Sequence, residues 1–258
     1  MRTQATALTN SRPGLRPIVF SDFDGTITQI DVTDRILSEL AHPSWEEIEQ
    51  EWARGMIGSR ECLTRQMALV DASADVLDAL IDSIPLDPHF AGFHQFLRKR
   101  RVPFYVVSDG FDYVIRRVLE RGGVNGSLRN GSHLFSSSLR VEGNRLVTSF
   151  PHSPEPCEHG CATCKAAIMR RLSHKHRPII FIGDGFSDRF AIELSDIVFA
   201  KRQLLAYCRE RGIPCTPFET FADIQAAMTE GIAGTAPKLK RRRSRAQEGS
   251  LALSNRYY

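Results

Sequence analysis

The chain has 258 residues, 42% of them hydrophobic and 25% charged, with a formal net charge of +4 at neutral pH. That is enough apolar material for one substantial core and a smaller second module, which excludes a wholly disordered chain. No run approaches the length of a membrane span, the first residues hold no apolar export signal, and six cysteines are too sparse for a disulfide scaffold, so a cytoplasmic protein without membrane contact is expected.

Residues 1–16 carry Arg2, Arg12 and Arg16 and no acid, and are expected to be disordered. The run Pro17-Ile-Val-Phe20 then reads as a short core strand, yet Ser21-Asp-Phe-Asp-Gly-Thr26 follows at once. Two carboxylates at the end of a buried strand call for a chemical reason. Residues 31–96 interrupt the strand pattern: 32–40, 45–52, 60–70 and 74–81 all have the periodicity of amphipathic helices, as a module inserted after the first strand would. The next strand, 102–107, ends in Ser108-Asp109-Gly110, and a helical pattern follows from Tyr113 to Leu119. Alternation about Glu142-Gly-Asn144 predicts a hairpin excursion between Ser132 and Phe150. Lys165 opens another helical run, the strand 179–182 ends in Gly183-Asp-Gly-Phe-Ser-Asp188, and a weaker strand covers 197–200. Residues 234–258 hold seven Lys and Arg against Glu248, a surplus of +6 that leaves the rest of the chain at −2. Such a segment reads as a solvated disordered tail, with nucleic-acid contact as the sharper alternative.

Strands alternating with helices give an α/β fold with a parallel sheet. Ligands of such sheets bind beyond the carboxyl ends of the strands, so the three polar strand ends converge on one site. Asp22 and Asp24 can there divide the work of nucleophile and of acid and base. The Ser108 hydroxyl, with the amides around Asp109 and Gly110, makes a phosphate cradle, and Lys165 adds a point charge. Asp184 and Asp188 form a compact carboxylate pair suited to Mg2+.

This set, in this order, resembles the haloacid dehalogenase superfamily of phosphohydrolases, over residues 15–225 or so. The resemblance implies a Rossmann-like three-layer core of residues 17–30 and 97–233 with a helical cap of residues 31–96. It implies that Asp22 attacks phosphorus while Asp24 protonates the leaving group and later activates water. Magnesium would be held by Asp22, the Asp24 carbonyl and Asp184, supported by Asp188; Ser108, Asp109, Gly110 and Lys165 would bind the transferred group, and Thr26 would fix the turn. The substrate would be a small phosphorylated metabolite. Asp22, Asp24, Asp184, Asp188 and Ser108 also have a plainer reading as helix caps, and Arg170, Arg171 and Lys175 lie near Lys165 as rivals for its role. The other classes of function weighed are a non-catalytic binder of phosphorylated ligands or nucleic acid and a phosphotransferase.

The position of the insertion resembles the cap of the phosphoserine phosphatase-like subfamily. Asp31 stands where those enzymes carry a glutamate that reads the substrate amine, and Met56-Ile-Gly58 resembles their Met-x-Gly stretch, but their carboxylate-binding arginine falls on Leu69. Arg60 and Arg65 are the candidates to compensate, with Trp52 and Phe111 as further candidates to line the pocket. Phe150-Pro-His-Ser153, Cys157-Glu-His-Gly-Cys-Ala-Thr-Cys-Lys165 and Val198-Phe-Ala-Lys201 are more closely similar to the family of 2-hydroxy-3-keto-5-methylthiopentenyl-1-phosphate phosphatases of methionine salvage. Here Ser-Asp-Gly departs from that family's Ser-Gly-Gly. Phosphoethanolamine and phosphocholine phosphatases, which resemble this chain in a cysteine-rich run and in Ser-Asp, are the alternative. The spacing Cys157-x3-Cys161-x2-Cys164 can also form a small zinc site, a redox-sensitive pair or plain loop thiols.

Overall fold

The structure is a computed structural model that describes residues 16–124, 128, 133–154, 156–173 and 176–233. The expectations for residues 1–15 and 234–258 lie outside the described residues.

Among the described residues, seven strands form one sheet: β1 (Arg16–Ser21), β2 (Phe104–Phe111), β3 (Leu134–Glu142), β4 (Arg145–Ser149), β5 (His176–Gly183), β6 (Ile197–Ala200) and β7 (Thr216–Pro217), in the order β4-β3-β2-β1-β5-β6-β7. Every neighbouring pair is parallel except β3 and β4, which form the antiparallel hairpin that the alternation around Gly143 predicts. The sheet is therefore parallel with one antiparallel edge. Its central strand is β1, between β2 and β5. Because both faces of β1 are covered, it carries an unbroken apolar run.

The pleat sorts these side chains into two cores. Val19, Val106, Ile180, Ile182 and Phe199 face one side; Ile18, Phe20, Val107, Phe181 and Val198 face the other. The second side is closed by α7 (Lys165–Ser173), α8 (Arg189–Ile192) and α9 (Arg202–Glu210), through Met169, Ile192 and Leu204. The first is closed by α5 (Phe90–Lys99), α6 (Asp112–Arg121) and α10 (Phe221–Ala233). The result is a three-layer α/β fold.

The four helices expected in the insertion are present as α1 (Val32–Leu40), α2 (Trp45–Ala53), α3 (Ser59–Met67) and α4 (Ala74–Asp82). Asp31 caps α1 by accepting from Asp34 N at 3.0 Å, and the Ser73 hydroxyl caps α4. The boundary expected at residue 96 is corrected by α5. Its Phe90 and Phe93 rings pack on Phe104 and Phe221 at centroid distances of 5.0–6.2 Å, so α5 belongs to the sheet's own helical layer. The chain crosses back at Leu86, which forms an antiparallel bridge with Thr28 of the outgoing passage. Insertion and core share one continuous apolar cluster, from Ile36, Leu37 and Leu77 to Val106 and Val118. At its edge Arg117 of α6 pairs with Asp78 and Asp82 of α4 at 2.8 and 2.7 Å.

Candidate active site

Strand pairing runs to the tip of β1, where Asp22 N donates to Ile182 O of β5 at 2.9 Å. The chain then turns sharply through Gly25, whose φ is +64°, and the Gly25 amide donates to Thr28 Oγ1 and Ile30 O, both at 3.0 Å. A side chain at Gly25 would meet the Asp184 carboxylate, so glycine is required for conformation and for space alike. This turn brings Asp22 and Asp24 to one side. Asp22 is nearly buried and its Oδ1 accepts from Phe23 N at 2.8 Å; Asp24 Oδ1 accepts from Val32 N at 3.2 Å.

Beside them, β2 carries a register break against β3 between Val107 and Phe111, and Ser108, Asp109 and Gly110 lie within it. Such irregularities redirect side chains at strand ends. Ser108 Oγ lies 3.4 Å from Asp24 Oδ2 and accepts from Gly110 N at 2.9 Å. A Cβ on Gly110 would overlap the Asp24 carboxylate. The Asp109 carboxylate borders the same cavity, near enough to Lys165 and Asp22 to feel both charges. It accepts from Thr163 N at 2.8 Å and is hydrogen-bonded to Ser59 of α3, so the residue that departs from the Ser-Gly-Gly pattern ties together β2, the cysteine loop and the insertion.

From the other flank, Lys165 at the start of α7 extends to Asp22 Oδ2 at 2.9 Å and Asp188 Oδ1 at 2.6 Å. Burial disfavours its charge, but Asp188 and Asp22 outweigh burial and hold the ammonium firmly protonated. Asp188, fully buried, accepts from the amides of Asp184 and Gly185, both at 3.2 Å. Thr26 Oγ1 donates to Asp184 Oδ1 at 2.9 Å. Carboxylate oxygens of Asp22, Asp184 and Asp188 lie within 4.8 Å of one another. Burial, then repulsion from Asp22, raises Asp184 to about 6 and Asp188 well above the usual carboxylate range. Asp24 is raised likewise by burial and then by Asp31 and Asp22.

The strand ends open into a cavity of about 280 Å³ under the insertion. Asp31, Asp34, Glu49, Trp52 and Gln66 form its far wall. Burial pushes Asp31 up to about 6 and raises Asp34 and Glu49. Arg60 and Arg65, expected near the substrate, do not line it. Arg65 is held on the insertion's outer face by Glu51, at 2.5 Å, and Glu61, while the Arg60 amide donates to Gly160 O at 3.0 Å. Phe111 is core. Arg202, on the wall instead, was missed by the sequence reading: its Nη1 lies 3.2 Å from Asp184 Oδ2, Nη2 donates to Gln29 O, and its φ is +48°. That conformation is unusual for a residue with a side chain, and its only sequence signal is adjacency to Val198-Phe-Ala-Lys201.

A parallel sheet with paired aspartates off its central strand, a buried lysine, a second acidic loop and a helical insertion define a hydrolase of the haloacid dehalogenase type. Residues 19–193 match the haloacid dehalogenase-like hydrolase family, to which the chain belongs. It is 32% identical over 213 residues to a 2-hydroxy-3-keto-5-methylthiopentenyl-1-phosphate phosphatase of Bacillus mycoides, covering 81% of this chain and 94% of that one. Its identity to the like-named protein of Geobacillus kaustophilus is 30% over 214 residues, covering 82% and 94%. A substrate-bound phosphoserine phosphatase structure has the same fold, with a TM-score of 0.61 at 16% identity over 83% of this chain and 99% of that one. No helix among the described residues is long and apolar enough to cross a membrane.

Proposed function

We propose that the chain hydrolyses a small phosphomonoester through a phosphorylated Asp22, and that 2-hydroxy-3-keto-5-methylthiopentenyl-1-phosphate, named for its relatives, is its substrate. Phosphatase chemistry is the activity of the family and of these relatives. The observation that carries the reading is the alignment of Asp22, Lys165 and Asp188 across three elements, with Asp24 two residues beyond the nucleophile.

An Asp22 carboxylate oxygen attacks phosphorus as the phosphorus–oxygen bond to the alcohol breaks. Asp24, whose pKa is raised by burial and then by Asp31 and Asp22, gives its proton to the departing alkoxide. As a carboxylate it then takes a proton from water, whose oxygen attacks phosphorus, frees inorganic phosphate and restores Asp22. Lys165 and the Ser108 hydroxyl bind the phosphoryl oxygens throughout. The donor set fits a small hard dication: three buried carboxylates share one space, Asp22 raises the pKa of both Asp184 and Asp188, and Thr26 orients Asp184. Magnesium held by Asp22, Asp184, Asp188 and the Asp24 carbonyl would supply charge neutralisation to the phosphoryl group.

The acidic far wall supports a second reading. Asp31, Asp34 and Glu49 beside Trp52 would suit the ammonium of a phosphorylated amino alcohol. Among the described residues, the arginine that lines the cavity, Arg202, is paired with Asp184, which counts against phosphoserine. The test is phosphate release with magnesium from the methylthiopentenyl phosphate, phosphoethanolamine, phosphocholine and phosphoserine, with Asp22→Asn as control. Preference for the first supports methionine salvage, preference for an amino-alcohol phosphate supports the second reading, and release unaffected by Asp22→Asn overturns both.

A further inference from the structure

Among the described residues, the hydrolytic site leaves a cluster of three thiols unused. Cys157, Cys161 and Cys164 place their sulfurs within 4.8 Å of one another, and all three are free thiols, half-buried at the surface. A dication with tetrahedral bonds of about 2.3 Å holds its sulfurs about 3.8 Å apart, so only small movements separate the observed arrangement from a closed site. The backbone is already folded around the first sulfur, with Cys161 N donating to Cys157 Sγ at 3.4 Å and Gly160 taking a φ of +57° in the tight turn between them. Amide donors of this kind stabilise a thiolate. Arg189 is near enough to Cys161 and Asp109 to feel both charges, which suits a three-thiolate site of net charge −1. Among the described residues, the two buried side-chain oxygens without a hydrogen-bond partner are Ser153 Oγ, just before this loop, and Thr163 Oγ1, within it.

The geometry points to a structural site for a thiophilic dication, zinc being the expected one, on the three sulfurs of Cys157, Cys161 and Cys164. Three sulfur–metal bonds form as three thiol protons pass to solvent, with no change of oxidation state. The site's consequence lies in what the loop touches. Gly160 O receives Arg60 N at 3.0 Å, Ala162 N donates to Ser59 Oγ at 2.9 Å, Thr163 N to Asp109 at 2.8 Å and Cys164 N to His152 O at 3.0 Å. The next residue is Lys165. A metal here would clamp together the phosphate-binding lysine, the Ser108 loop and the entrance of α3, at a distance from the carboxylate site.

The test uses the full chain produced in zinc-supplemented medium and kept reduced, with bound metal measured after desalting. About one zinc per chain is expected, falling below a tenth of that in Cys157→Ser/Cys161→Ser and unchanged in Cys215→Ser. In the metal-free chain, added Co2+ should give thiolate-to-cobalt charge-transfer absorption that the double variant lacks and Asp184→Asn keeps, which separates this site from the carboxylates. Zinc should also slow modification of the three thiols by an alkylating reagent. A reduced, folded chain with no bound zinc and no charge-transfer band overturns the proposal. So does a band that survives in the double variant, or a disulfide within the cluster in a chain that takes up no metal once reduced.

Discussion

Asp22 has two partners that an amide would not replace with equal charge, yet asparagine fills the same space. Asp22→Asn should keep the fold, measured by circular dichroism, and lower turnover by at least about 10⁴-fold, as removal of a nucleophile does. Asp24→Asn, which retains the acceptor for Val32 N but cannot move a proton, should cost about 10²–10⁴-fold in kcat with little change in KM. Gly110→Ala separates position from chemistry. Its methyl must displace the Asp24 carboxylate, so activity should fall while the melting temperature moves little; equal activity would mean that the acid tolerates being moved. Arg60 and Arg65 show why residue roles were only partly legible. Periodicity puts a side chain on a helix face but does not say which face meets the cavity. The orientation of Asp109 and the positive φ of Arg202 are likewise properties of tertiary packing that leave no mark in the chain.

At the scale of elements, α3 meets the cysteine loop with almost no tolerance. Gly58 Cα lies beneath the Gly160 peptide, and a Cβ there would overlap the Gly160 carbonyl. Gly58→Ala should therefore push α3 off the loop, at a cost of about 1–3 kcal/mol as an overpacking, and raise KM more than it lowers kcat. Steady-state kinetics decide this, and an unchanged KM would show that the contact does not shape the substrate's enclosure. The strands and α1 to α4 were readable because buried parallel strands carry unbroken apolar runs and surface helices carry a 3.6-residue stripe. What the stripe of α5 lacked was an address: Phe90, Phe93 and Phe96 mark a buried face, but only folding shows that its partners are Phe104 and Phe221. The continuation of β2 through its register break to Phe111 was equally hidden, because Ser108-Asp109-Gly110 reads as a strand end.

Across the whole molecule, His94 contributes stability that mild acid removes. Burial, aided by Arg98 and His133, pushes its pKa down to about 4 from 6.5. Between those values the unfolded chain holds a proton on this histidine that the native state refuses, so its contribution declines as pH falls from about 6.5 to about 4, in the opposite sense to the raised carboxylates Asp24, Asp31, Asp184 and Asp188. His94→Phe, placed among Phe90 and Phe104, should flatten that limb of the melting temperature against pH, and parallel curves would assign the acid sensitivity elsewhere. The bridge between Thr28 and Leu86 has a longer reach. It sets the departure and return of the 57 residues between them side by side, so the sheet registers neither the length nor the content of what is inserted there. A lineage can replace that excursion as one graft, changing which alcohol is recognised while Asp22 and Asp24, the pair proposed to cut the phosphate, are inherited untouched. The apolar cluster that runs beneath the join sets the condition: a new graft must bring its own counterpart to Ile36, Leu37 and Leu77 before the core will accept it.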